Sequence, residues 1–231
     1  MHEIHGRWHV AVVPREAAKQ RLADQVEALR ADGWTVVVDD PIPADEVILD
    51  DPAKIGVLAQ PLRARLVTLL HRQPRTVKQL AEAMDAPVTR LYYHLNLLVD
   101  AGLARVLATR RSGAQTESAY GVVALSFRLD PALMRADDLE GVVDGVTSIL
   151  DYAKIGLANA IRSRRMTMGD PDDRRTLLTL APVRLTPEGQ RALVAAMEEF
   201  LEEHCVPDDE GEEILVLATV FPDTAGAATS P

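Results

Sequence analysis

Between Thr89 and Asn96 the chain sets a hydroxyl, a guanidinium, two phenols, an imidazole and a carboxamide within about two helical turns. On the outward face of one helix, such groups can hydrogen-bond base edges and phosphates in the major groove of DNA. A guanidinium offers a bidentate fork to guanine, and a threonine offers its methyl or hydroxyl to base or phosphate. Thr89, Arg90, Tyr92, Tyr93 and His94 are the expected contacts, with Asn96 outward beside them. Further along, Arg110 and Arg111 open the stretch Arg110-Arg111-Ser112-Gly113-Ala114-Gln115, which reads as a turn between two β-patterned runs. At a hairpin tip these arginines would reach flanking phosphates or the minor groove.

Groove contacts of this kind need two short helices held at a fixed angle, the second one projecting into DNA. The pattern supplies them. Thr76 is a good N-cap residue, and Val77, Leu80, Ala81 and Met84 form the inner face of a first helix. Asp85-Ala86-Pro87 makes a tight turn, with Pro87 suited to the first turn of the next helix. That second helix should run to about Ala101 and stop at Gly102, with Leu91, Leu95 and Leu98 as its inner stripe. Upstream, Pro52–Leu58 and Leu62–Leu70 read as two helices separated by Pro61. Downstream, Leu103–Thr109 and Glu117–Val123 read as the strands of the hairpin.

The flanks have their own patterns. Trp8–Val13 and Trp34–Val38 read as strands around a helix over Arg15–Asp32, whose apolar positions are Ala18, Leu22, Val26 and Leu29, giving a β-α-β unit. Asp39–Asp51, with Pro41, Pro43 and six acidic residues, reads as a linker or exposed loop. The longest helical pattern, Asp137–Arg165, carries Leu139, Val142, Val146, Ile149, Ala153, Gly156 and Ala160 at alternating spacings of three and four, the repeat of a coiled-coil seam. That seam is read as a dimer interface; the competing reading is a helix buried within its own chain. After a polar loop over Met166–Arg175, Thr176–Leu185 reads as strand, Pro187–Glu203 as helix, Val206–Glu212 as acidic loop and Ile214–Phe221 as strand. The tail Ala225–Pro231 is expected to be disordered.

The predicted fold class is therefore α+β, in three parts. Residues 1–51 hold the N-terminal β-α-β segment and linker, 52–130 a winged helix-turn-helix, and 131–231 the long helix and a C-terminal β-α-β segment. The two β-α-β segments are expected to pair into one α/β domain interrupted by the DNA-binding module.

Charge follows the same division. The net charge of −10 is unusual for a nucleic-acid binder, yet residues 54–115 carry ten Lys and Arg against Glu82, Asp85 and Asp100. One basic segment between acidic ones fits a DNA-binding module on a body that phosphate repels, which weakens indiscriminate binding.

Taken together, Leu58–Leu70, Thr76–Met84 and Asp85–Arg111 resemble the ArsR-like winged helix-turn-helix regulators, most tellingly in His94-Leu95, Leu98 and Ala101-Gly102-Leu103. The resemblance is good over about 52–130 and looser beyond Pro131, where it is similar to the extension of longer members. It implies a homodimer on a two-fold operator, acting as a repressor. It also implies DNA contacts from Thr89, Arg90, Tyr93 and His94, with Arg110 and Arg111 on the wing. Metal-sensing members place a Cys-x-Cys motif on the first helix, or an Asp/His/His/Glu set on the dimer helix. Here Thr76–Met84 has no cysteine and Asp137–Arg165 no histidine, so metal sensing is not expected.

The remaining chemistry is sparse. His2, His5 and His9 read as solvated terminal residues, Cys205 as structural or incidental, and Asp170, Asp172 and Asp173 as a hydrated loop. No glycine-rich phosphate loop, G-x-S-x-G elbow or HExxH motif is present, so no enzyme is expected and no cofactor is implied. The N-terminus lacks the charged and apolar regions of a secretory signal, which points to the cytoplasm. The C-terminal β-α-β segment, with or without the N-terminal one, either holds a small-molecule effector or simply stabilises the dimer; Trp8, Trp34 and Phe221 are candidates for an apolar pocket, although aromatics on short strands are more often core. The alternative from another class is a winged helix that binds a protein and not a DNA sequence.

Overall fold

The computed structural model describes residues 7–8, 15–135, 139–166, 176–179, 181–204, 214 and 216–221. The chain divides into two compact units, Met1–Tyr152 and Ala153–Pro231. In the first, the elements run β1 (Arg7–Trp8), α1 (Arg15–Ala31), β2 (Thr35–Val36), β3 (Ala44–Leu49), α2 (Pro52–Ala59), α3 (Pro61–Arg72), β4 (Arg75–Thr76), α4 (Val77–Met84) and α5 (Val88–Asp100). Strands β5 (Ala104–Ser112), β6 (Gln115–Val122) and β7 (Ala124–Leu129) follow, then a 3-10 turn at Leu133–Arg135 and the start of helix α6 (Glu140–Arg162), whose residues from Ala153 onward belong to the second unit. Leu66, Leu70, Leu80, Leu91, Leu95, Leu98 and Phe127 are fully buried in one core that also takes in Ile55, Leu58, Tyr120 and Val142.

Among the described residues the expected N-terminal β-α-β unit does not form, and residues 9–13 of its expected first strand lie outside them. Its two strands join different sheets: β1 pairs antiparallel with β7 in the order β1-β7-β3, and β2 pairs antiparallel with β5 in the order β2-β5-β6-β4. The N-terminal segment thus extends both sheets of the winged helix, and α1 buries Ala18 and Leu22 against Leu125. The expected linker Asp39–Asp51 is also corrected, because it contains β3, parallel to β7 from Ala44↔Ala124 to Leu49↔Leu129. Its acidic residues have specific partners: Glu46 accepts from Arg128 Nε at 2.8 Å, and Asp51 caps α2 by accepting from the Ala53 amide.

Helix α6 docks on α2 through glycines. A Cβ at Gly141 would stand 2.7 Å from Pro52 Cβ, and one at Gly145 would overlap Ile55 Cγ2. Val142, between them, is buried in the core, so this member of the predicted seam is spent within its own chain. Leu139 and Val146 are exposed, and Ile149, Ala153, Gly156 and Ala160 are half-buried. Asp137, where the helix was expected to begin, lies outside the described residues.

In the second unit α7 (Pro187–His204) forms where the pattern placed it. The strands expected over Thr176–Leu185 and Ile214–Phe221 do not form among the described residues: their apolar side chains, such as Leu177, Leu178 and Ile214, stand exposed. A strand exists only where another supplies its hydrogen-bond partners, and none pairs with these stretches among the described residues. The α+β class of a winged helix-turn-helix with an additional domain stands, while neither stretch contributes a strand to that domain among the described residues. The tail Ala225–Pro231 lies outside the described residues.

His71, at the end of α3, sits edge-on to Phe127 with ring centroids 6.4 Å apart and is only 4% exposed. Burial pushes its pKa down to about 4, with Arg21 adding repulsion. The imidazole is therefore neutral in the fold but protonates near pH 6.5 once unfolded. Its contribution to stability is unaffected above that pH and turns unfavourable as pH falls from about 6.5 towards 4, by about 3 kcal/mol in all. Urea unfolding at pH 7.5 and pH 4.5 should show a smaller acid-induced loss for His71→Leu than for the wild type.

Candidate nucleic-acid interface

Helix α4 begins with a reciprocal cap. The Gln79 amide donates to Thr76 Oγ1 at 3.2 Å, and the Thr76 amide donates to Gln79 Oε1 at 2.8 Å, so two amides that lack intrahelical partners are satisfied. The turn after it passes through Asp85 in the left-handed region at φ 48, and the Ala86 amide closes the helix on the Ala81 carbonyl at 3.0 Å. Aspartate tolerates that conformation better than most residues. Pro87 then stands at the N-cap of α5, one position before the expected first turn. Gly102, at φ 69, ends α5 with its own amide on the Val99 carbonyl and the Leu103 amide on the Leu98 carbonyl, the paired closure that favours glycine.

The inner stripe of α5 is Leu91, His94, Leu95 and Leu98. Thr89, Arg90, Tyr92, Tyr93 and Asn96 are exposed, Tyr93 by 63%. Five of the six polar or aromatic side chains thus lie where groove contacts require them. His94 is the correction. Three residues after Leu91 and four before Leu98, it falls on the buried face. Its ring meets that of Tyr93 edge-on at 5.2 Å, and its Nδ1 is buried with no hydrogen-bond partner. Burial lowers its pKa, followed by repulsion from Arg63 and Arg90, so it brings no charge to the surface near neutral pH.

The wing is longer than expected: β5 runs through Ser112 and the turn shrinks to Gly113-Ala114, with Gly113 at φ 64. Arg110 and Arg111 are therefore strand residues and not turn residues. A bulge at Leu107 separates the pairs Val106↔Tyr120 and Ala108↔Ala119. Arg110 donates to Glu117 Oε2 at 3.1 Å, and its guanidinium carbon lies 4.5 Å from the centre of the Trp34 ring. Arg111, opposite Thr116, is exposed.

Other cations have internal duties. Arg63 donates to the Gly56 carbonyl at 3.0 Å and to that of Val57, closing the end of α2. Arg75 and Arg105 are half-buried, and burial lowers their pKa values. Lys78, exposed in the first turn of α4, is the basic residue that the sequence reading passed over. Its place just after the N-cap of the first helix of a helix-turn-helix, a motif in which that helix lies across the backbone of bound DNA, is the signal that would have found it.

The aromatic candidates for an effector pocket go elsewhere. Trp34 is 8% exposed, packed on Ala108 and Ala119 beneath Arg110, while Trp8 lies on a strand of the other sheet. Phe221, in the second unit, is exposed. Among the described residues no group of three His, Cys, Asp or Glu side chains could hold a metal, and no helix is long and apolar enough to cross a membrane. His2, His5, His9, Cys205, Asp170, Asp172 and Asp173 lie outside the described residues.

Residues 58–106 match the family model described as a helix-turn-helix domain, which bears out the ArsR-type resemblance over that stretch. Among solved structures the chain is similar to M. tuberculosis Rv0081, at 22% identity over 49% of this chain and 91% of that one, with a TM-score of 0.27. Among curated proteins none matches.

Because the cap of α4 sets the helix that braces α5, Thr76→Ala should cost about 1 kcal/mol of stability. Equilibrium urea unfolding measures it, and an unchanged midpoint would mean that the cap is replaceable by water.

Proposed function

We propose that the chain is a sequence-specific, DNA-binding transcriptional regulator of the cytoplasm that acts as a homodimer on a two-fold operator, in the direction of repression. The observation that carries the reading is the division of α5. One face is locked into the core by Leu91, Leu95 and Leu98, and the opposite face presents Thr89, Tyr92, Tyr93 and Asn96, with Arg90 beside them, on a helix-turn-helix. A solvated face without a partner would be expected to carry lysines and glutamates. Thr89 and Arg90 are the base readers in this proposal. Lys78 and Arg111 bind phosphate and set the register. No part of the site calls for catalysis.

For the dimer, the support is the seam spacing on α6, the exposure of the seam residue Val146, and the exposed apolar Val143 and Leu150 beside it. Val142 is excluded from that interface by its burial in the core. A second copy joined along α6 would repeat the α5 surface about the two-fold axis, and half-sites would then lie about 34 Å apart.

Two measurements test this. Purified protein should enrich one palindromic motif from a random DNA library at physiological salt, and Arg90→Ala should lose that enrichment. Failure of the wild type to enrich any motif would favour a protein partner for the winged helix. Val146→Glu, which changes an exposed residue, should turn a dimer into a monomer in sedimentation and weaken operator binding. A variant that sediments as the wild type does would move the interface off α6.

A further inference from the structure

Adjacent strand residues point to opposite faces. Before the bulge, Val106 shares a face with Tyr120, and Arg105 shares one with Gly121; past it, Ala108 pairs with Ala119, Arg110 with Glu117 and Arg111 with Thr116. On β6, Gly121, Ala119 and Glu117 alternate onto one face, and Tyr120, Ser118 and Thr116 onto the other. The extra residue at Leu107 thus moves Arg110 to the face of Ala108 and Ala119, away from α5 and towards α1, whose Leu29 packs there, and Arg111 to the face of Tyr120, which is packed in the core with α5. A bulge re-aims side chains in this way.

Trp34 occupies the first of these faces. Its ring is buried against Ala108 and Ala119 and lies under the Arg110 guanidinium, which Glu117 also holds. The next two residues, Thr35 and Val36, pair with Thr109 and Ala108 as strand β2, so the tryptophan is fixed to the hairpin by backbone bonds as well. A guanidinium stacked on an indole and paired with a carboxylate is already served on both of its binding surfaces. No such partner is given to Arg111 by the described residues.

We propose that Trp34 is a positioning residue for the wing: by holding Arg110 on the back of the hairpin together with Glu117, it leaves Arg111 as the arginine that reaches phosphate. The proposal rests on the DNA-binding reading for its consequence, while the clamp itself exists without DNA. The N-terminal segment thereby becomes part of the recognition apparatus, because it decides which of two neighbouring arginines is free.

The salt dependence of binding counts phosphate contacts. With an enriched operator fragment, Arg111→Ala should lower the slope of log affinity against log salt by about one. Arg110→Ala should leave that slope unchanged. The double variant Trp34→Leu/Glu117→Gln should steepen it by about one, because Arg110 is then released. The opposite pattern, in which Arg110→Ala flattens the slope and Arg111→Ala does not, would overturn the proposal.

A second readout needs no DNA. In a Trp8→Phe background Trp34 is the sole indole, and Arg110→Ala should shift its fluorescence emission. Unchanged emission would overturn the clamp even where binding is normal. A shifted emission in a protein that binds no DNA would support the clamp and remove the DNA-binding reading instead.

Discussion

Everything presented at the surface of α5 depends on how Leu91, Leu95 and Leu98 are buried. All three have no exposure and share a core with Leu66, Leu80 and Tyr120. Truncating such a side chain to alanine typically costs about 2–5 kcal/mol, a large fraction of the stability of a domain this size. A rotation of α5 about its axis would have to expose one of them, so the helix has a single rotational setting. Thr89, Tyr93 and Asn96 point outward as a consequence of that setting. His94 is buried for the same reason, although its chemistry would suit a groove.

The wing is fixed with comparable economy. Strand β4, whose Thr76 is also the cap of α4, pairs with β6 through Arg75↔Tyr120 and Thr76↔Ala119. The start of the helix-turn-helix and the wing are therefore hydrogen-bonded to each other and cannot reorient separately without breaking that ladder. On the far edge β2 closes the sheet. Leu22 and Val26 of α1 line a narrow crevice with Leu70, Leu107 and Gly121, which places α1 on the back of the wing. What the sequence presents as a separate N-terminal unit is thus the outer layer of the winged helix.

How legible this was depended on the range of the interactions involved. Helices α3, α4 and α5 were readable because their determinants are local: Thr76 and Gln79 for the cap, Gly102 for the stop, and leucines at helical spacing between them. Even His94 was readable, since its position between Leu91 and Leu98 puts it on the stripe whatever its polarity. Strand β3 was not. Asp45 and Glu46 look like linker residues in isolation, and partners far along the chain reveal their setting: Arg128 on Glu46, Lys19 on the Asp45 carboxylate at 2.6 Å, and the Ser126 hydroxyl, which donates to the Asp45 carbonyl at 3.0 Å. The faces of Arg110 and Arg111 were equally hidden. A one-residue bulge leaves no mark in composition yet reverses every side chain beyond it.

The same core also determines what a dimer helix can do. A seam on α6 positions two recognition helices only if α6 is rigidly joined to α5. The joint is α2, whose Ile55 and Leu58 are buried in the cluster that holds Leu91 and Leu95. Gly141 and Gly145 bring the backbone of α6 so close to Pro52 and Ile55 that no larger side chain fits without displacement. Side chains longer than hydrogen would put a compressible layer between the two helices, whereas direct backbone approach leaves little room for sliding. The glycines that interrupt an otherwise good helix lower its intrinsic propensity by about 1 kcal/mol each, and the close contact with α2 is the gain that offsets this. Any interface formed by the exposed side of α6 would in this way transmit its geometry through α2 to the outward face of α5.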